Sequence, residues 1–130
     1  MEAVILLDTH VVVWLYERLL NRIPAAVQRR LNREQLALSP FVHLELGYLR
    51  EVGRVSPPVE AIIDDLASRV GLQSADIGAA AVCKAALDLT WTRDPFDRLL
   101  AAHAVVSGMT LITKDETLRQ HLPLAWWADS

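Results

Sequence analysis

The residues of this sequence best suited to chemistry are acids placed at the ends of apolar runs. Asp8 follows Ile5-Leu6-Leu7, and Asp115 follows Leu111-Ile112-Thr113-Lys114. Asp94 and Asp97 open the segment Asp94-Pro95-Phe96-Asp97, and Glu45 lies four residues from both Phe41 and Leu49. That spacing puts Glu45 on the apolar stripe of a helix. A lone ionised carboxylate there is costly and tends to take up a proton. A divalent cation removes that cost and lets several carboxylates converge that would otherwise repel one another. Ligation by oxygen alone selects Mg²⁺ or Mn²⁺ over zinc. A cation so held polarises a phosphoryl oxygen and activates water for in-line attack on a phosphodiester.

Each acid also has a purely structural reading. Asp8 and Asp115 can cap the helices that follow them. Asp94, Pro95 and Asp97 stand at the cap, first and third positions of a helix, as in a capping box, although Glu or Gln is the usual third-position partner. Glu45 can pair with a buried arginine. Taken singly these readings compete with the metal site. Together they do not explain why acids gather at one edge of the fold.

The elements that must position these acids follow from hydrophobic patterning. Ala3–Leu7 is a continuous apolar run, as expected of a strand buried on both faces. Val11–Leu19 fits either an extension of that strand or a helix. Pro24 suits a first helical turn, with Val27 and Leu31 on one face, and Gln35–Leu38 reads as a second strand. Ser39-Pro40 and Ser56-Pro57 both read as a hydroxyl cap with proline at the first position, starting helices that stop at Gly53 and Gly71. Leu72–Ser74 is a minimal strand, and Asp76 is expected to cap an alanine-rich helix from Ile77 to about Leu87. Asp94-Pro95 starts a helix ending at Gly108. Met109–Thr113 is a strand, 117–121 a short helical turn, and Leu124–Trp127 a last strand. Strands alternating with helices, without hairpin signals, predict an α/β domain with a parallel sheet. In such sheets ligands bind beyond the carboxyl ends of the strands, where Asp8 and Asp115 fall.

At this point the residues resemble a known family, the PIN-domain ribonucleases, and among them the VapC-type toxins of bacterial toxin–antitoxin pairs. The resemblance rests on Leu6-Leu7-Asp8-Thr9-His10 with Trp14-Leu15; on Ser39 through Glu45 to Leu49 with Gly53-Arg54; on Arg93-Asp94-Pro95-Phe96-Asp97-Arg98-Leu99-Leu100-Ala101; and on Leu111-Ile112-Thr113-Lys114-Asp115. It implies a three-layer α/β/α domain over residues 1–130 with a central, mainly parallel sheet of four or five strands. It implies Asp8, Glu45, Asp97 and Asp115 as catalytic acids around Mg²⁺ or Mn²⁺, and Asp94 as an accessory acid or cap. Thr9 and Thr113 are implied to be hydroxyls that orient carboxylates. The implied reaction is endonucleolytic hydrolysis of RNA through a metal-activated water. The implied partners are a cognate antitoxin covering the active-site groove and a second copy of the chain in a homodimer. The chain departs from the family at three positions: Val42 and Leu44 stand where Ser and Trp are frequent, and His103 where Gln is frequent.

Composition agrees with these expectations. The chain has 130 residues, 52% of them apolar and 22% charged, which is one domain's length and argues against disorder. One cysteine, Cys83, excludes an internal disulfide and a cysteine zinc site, as fits the reducing cytoplasm. No apolar run approaches the roughly 20 residues of a bilayer span, and Met1-Glu2 is no basic leader. The net charge of −3 excludes a general basic coat for nucleic acid but not a nuclease with local arginines. Eleven of the 13 basic residues are arginine, and Arg93 and Arg98, which flank the acidic block, are the phosphate-binding candidates. Arg98 can equally hold a local acid. Trp14, Trp91, Trp126 and Trp127 are candidates for base stacking or for packing. His103 reads as a satisfied core histidine.

Two other function classes compete with this reading. A catalytically inactive PIN-like module that only pairs with a protein needs no metal, and four retained acids argue against it. A phosphoryl-transfer enzyme of another α/β class fails on its motifs. A dehalogenase-like phosphatase needs an aspartate where His10 stands, and a receiver domain has no role for Asp94-Pro95-Phe96-Asp97. Protons should compete with the cation for the acids, which mutual repulsion is expected to shift upward.

Overall fold

The structure, a computed structural model, describes residues 3–128. Met1 and Glu2, on which the leader reading rests, lie outside the described residues. β1 (Val4–Leu7) is followed by α1 (Thr9–Tyr16), a 3-10 turn (Leu20–Arg22), α2 (Ala25–Arg33), β2 (Gln35–Leu38) and α3 (Pro40–Glu51). Then come α4 (Val59–Val70), β3 (Gln73–Ser74), α5 (Ala79–Ala86), α6 (Pro95–Ser107), β4 (Leu111–Ile112), α7 (Glu116–His121) and β5 (Ala125–Trp126). Five strands form one sheet in the order β3-β2-β1-β4-β5, and every pairing is parallel. Helices flank it in the expected three-layer arrangement.

β1 is central because both of its neighbours must be covered. Leu6 pairs in register with Ala37 on one side and Leu111 on the other, and Ile5, Leu6 and Leu7 are buried. Removing each leucine side chain from water contributes about 1.5–3 kcal/mol. The strand order reverses direction at β1. The chain first adds β2 and β3 on one side, then crosses to add β4 and β5 on the other. The gap beyond the carboxyl ends of β1 and β4 is therefore the topological switch point.

The ambiguous segment after Asp8 is helical as far as Tyr16: Asp8 is the cap of α1, and its carboxylate accepts from the Thr9 amide at 2.6 Å. Ser39 caps α3 through the Phe41 amide, with Pro40 at the first position. Two expected starts are corrected. α4 begins at Val59 with Pro58 at its cap, not after Ser56. The second proline disfavours helical backbone at Pro57, which precedes it. α5 begins at Ala79 behind Gly78, and Asp76 caps nothing. Glycine is a poor helix residue, so the helix forms only where the alanines begin. Gly71 and Gly108 close α4 and α6 in the left-handed conformation. Among the described residues no helix is long and apolar enough to cross a membrane.

Candidate active site

Five acids lie around the switch point, near enough for the charges of Asp94, Asp8, Asp115 and Glu45 to act on Asp97. Asp8 ends β1, and Asp115 follows β4 and caps α7, its Oδ1 accepting from the Leu118 amide at 2.8 Å. Asp94 caps α6, its Oδ1 accepting from the Phe96 and Asp97 amides at 2.9 and 3.1 Å. Asp97 lies in the first turn of α6, and Glu45 in the middle of α3. The capping readings of Asp8, Asp94 and Asp115 are thus correct, and they are compatible with a site: a cap fixes where the carboxylate stands.

Two threonine hydroxyls hold two of the carboxylates. Thr113 donates to Asp8 Oδ2 at 2.6 Å and accepts from the Asp115 amide at 3.1 Å, so one hydroxyl links the acids of β1 and β4. Thr9 donates to Glu45 Oε1 at 2.5 Å, linking α1 to α3. Thr9 and Thr113 are both buried, so each hydroxyl keeps one orientation.

Burial and the neighbouring acids act most strongly on Asp97. Burial, then Asp94, Asp8, Asp115 and Glu45, push the Asp97 carboxyl up to about 7. Burial also raises Asp8 and Glu45; the hydrogen bond from Thr113 opposes the rise at Asp8, and that from Thr9 opposes it at Glu45. The upward shift expected from repulsion alone has a different leading cause, since loss of water outweighs neighbouring charge at all three groups.

Among the described residues, none of the lysine, arginine or histidine ion pairs involves these five acids. Nor do three His, Cys, Asp or Glu side chains stand close enough, as they are, to hold a metal ion. The acids form a loose cluster without a basic partner rather than a closed cage. Carboxylate oxygens without a thiolate or a neutralising cation suit a hard divalent ion such as Mg²⁺ or Mn²⁺. A cavity of about 290 Å³ lined by Leu15, Arg18, Leu20, Leu31, Arg69 and Val70 contains none of the five.

The remaining candidates divide. Arg93 is exposed beside Asp94. Arg98 is half-buried, and its Nε donates to the carbonyls of Leu89 and Thr92 at 3.0 and 3.1 Å; it braces the loop leading to Asp94 rather than an acid. Trp14 packs edge-on to Trp127, Arg30 lies over Trp126, and Trp91 stacks on His121. Sequence reasoning did not find the bond between His103 and Ser39, at 2.8 Å. The cap motif marked Ser39, but nothing in the sequence pairs it with His103.

The profile of the PIN domain matches residues 5–121. The chain is 34% identical over 119 residues to Ribonuclease VapC22 of Mycobacterium tuberculosis (strain ATCC 25618 / H37Rv), covering 90% of this chain and 91% of that protein. The chain belongs to the PIN-domain family. Within it, this is a VapC-type member. The fold superimposes on VapBC2 from Rickettsia felis bound to a DNA fragment from their promoter, with a TM-score of 0.68 and 20% identity, covering 96% of this chain and 99% of that one. It also superimposes on a toxin-antitoxin complex from Klebsiella pneumoniae, with a TM-score of 0.60 and 15% identity, covering 94% and 95%.

Proposed function

We propose that this chain is the toxin of a toxin–antitoxin pair, a Mg²⁺- or Mn²⁺-dependent endoribonuclease that hydrolyses RNA phosphodiester bonds. The observation that carries this reading is the unpaired cluster of acids at the switch point, in a chain similar to a ribonuclease over nearly its whole length. Asp8, Glu45, Asp97 and Asp115 would hold the cation. Bound there, it supplies Lewis-acid polarisation of the phosphodiester and activation of the attacking water.

The chain's own residues provide the framework. Thr113 and Thr9 fix one oxygen each of Asp8 and Glu45, so those groups cannot rotate freely. Asp94 aligns the first turn of α6 and therefore the base of Asp97. Without a cation, Asp97 exchanges a proton near neutral pH. Arg93 is placed to engage an RNA phosphate at the rim. The partners proposed are an RNA substrate, a cognate antitoxin as in the Klebsiella complex, and a second copy of the chain; the proposed compartment is the cytoplasm.

The test is cleavage of a mixed RNA pool by purified protein. Cleavage should require Mg²⁺ or Mn²⁺, stop with EDTA, and be lost in Asp8→Asn. Cleavage indifferent to EDTA would overturn the metal assignment. Absence of both cleavage and calorimetric cation uptake would leave the inactive binding module as the correct reading.

A further inference from the structure

α3 carries Glu45 and α6 carries Asp97, and the contacts between these helices lie on both sides of that pair of acids. At one end Ser39 Oγ meets His103 Nδ1 at 2.8 Å, with the Phe41 ring edge-on to the imidazole at a centroid distance of 6.2 Å. At the other end the rings of Tyr48 and Phe96 lie 5.7 Å apart. As position numbers rise along α3 they fall along α6, so the helices run antiparallel. Ser39 precedes Glu45 by six residues, and His103 follows Asp97 by six. At about 1.5 Å per residue, the bond stands roughly 9 Å along each helix from its acid.

We propose that Ser39 and His103 form a positioning pair that fixes the register of α3 against α6 and thereby the placement of Glu45 relative to Asp97. This rests on the nuclease reading of the site. Apolar contacts alone leave two helices free to slide or roll by fractions of an ångström, because burial is non-directional. A hydrogen bond between two side chains that are 0% and 1% exposed has one good geometry and no water to replace it. Ser39 also accepts from the Phe41 amide at 3.2 Å, so the same oxygen sets the first turn of α3. Burial lowers the pKa of His103 and so favours the neutral imidazole, whose Nδ1 shares one hydrogen bond with the Ser39 hydroxyl in either tautomer. His103 touches neither acid; it acts through the helix axis.

The test compares Ser39→Ala, His103→Leu, their double variant and His103→Gln for thermal stability and for kcat and KM of RNA cleavage. Folded Ser39→Ala and His103→Leu should each lose about tenfold in kcat with KM unchanged. The double variant should be no worse than Ser39→Ala, since the shared bond is removed once. His103→Gln should recover most of the loss. Full kcat in a folded His103→Leu, or additive losses in the double variant, would overturn the proposal. If His103→Leu does not fold, Ser39→Ala alone decides by the same kcat criterion. Wild-type protein that cleaves nothing would sink the nuclease reading, not the pair. The pair is then read from the His103 ring-nitrogen resonances: a shift in Ser39→Ala supports it, and unchanged resonances overturn it.

Discussion

Asp65 and Asp97 are the same side chain in opposite circumstances. On α4, Asp65 lies one turn before Arg69, whose Nη2 approaches it at 2.6 Å, and that hydrogen bond holds its carboxyl below the usual value. At the switch point, Asp97 is half-buried among four other acids, none of which is ion-paired among the described residues, and is pushed up to about 7. Arginine is abundant in the chain, yet Arg98, near the acids, gives its Nε to backbone carbonyls instead. The difference separates two uses of charge. The pair on α4 neutralises itself locally, whereas the five acids have no basic partner among the described residues and answer burial and mutual repulsion by holding a proton more tightly at Asp97.

The comparison breaks most clearly at Asp97 itself. Asp97→Asn should reduce RNA cleavage by at least about 10²-fold while leaving the cation-free protein as stable as wild type or more so, because a repelling charge is removed. A parallel loss of melting temperature and activity would mean that Asp97 is structural. Next in size is Thr113→Val, which keeps the shape of the side chain and removes the donor to Asp8. Cleavage should fall by about tenfold, with stability lowered by about 1 kcal/mol in denaturant titration. Equal activity in the two proteins would remove Thr113 from the site.

A smaller effect is the dependence of stability on pH. The folded Asp97 titrates near 7 and the unfolded residue near 3.8, so the folded state binds more protons between those values. Its contribution is greatest at the acid end and is lost as pH rises towards 7; Asp8 and Glu45 act in the same direction. Asp65 acts oppositely, stabilising above its ordinary value of 3.8 and losing that contribution as pH falls further. Thermal melts in EDTA should therefore show a higher melting temperature at pH 5 than at pH 8, and saturating Mg²⁺ should remove the difference. A melting temperature that falls toward pH 5 would contradict the upward shifts. The smallest expected effect is that of Asp65→Asn, which should leave cleavage unchanged and melting within experimental scatter, as for other exposed pairs.

Much of this arrangement was legible from short stretches of sequence. β1 and β2 follow from continuous apolar runs, and α3 and α6 from a polar cap followed by proline. The helices after Pro57 and Asp76 start later than their local signals suggest, because a second proline and a glycine occupy the positions where those helices would have begun. Val11–Leu19 could not be assigned from its valines. As far as Tyr16 it is helical, because Asp8, directly after the strand, caps the helix.

The sequence by itself determined which acids exist and that each stands at the end of a strand or in a helix with a defined start, since caps and periodicity act over a few residues. The tertiary structure alone decided that Thr113 holds Asp8, that Thr9 holds Glu45, and that Ser39 and His103 join the helices of Glu45 and Asp97. Those contacts span 105, 36 and 64 residues. No local pattern encodes them, because they form only where strand order and helix packing bring distant segments into register.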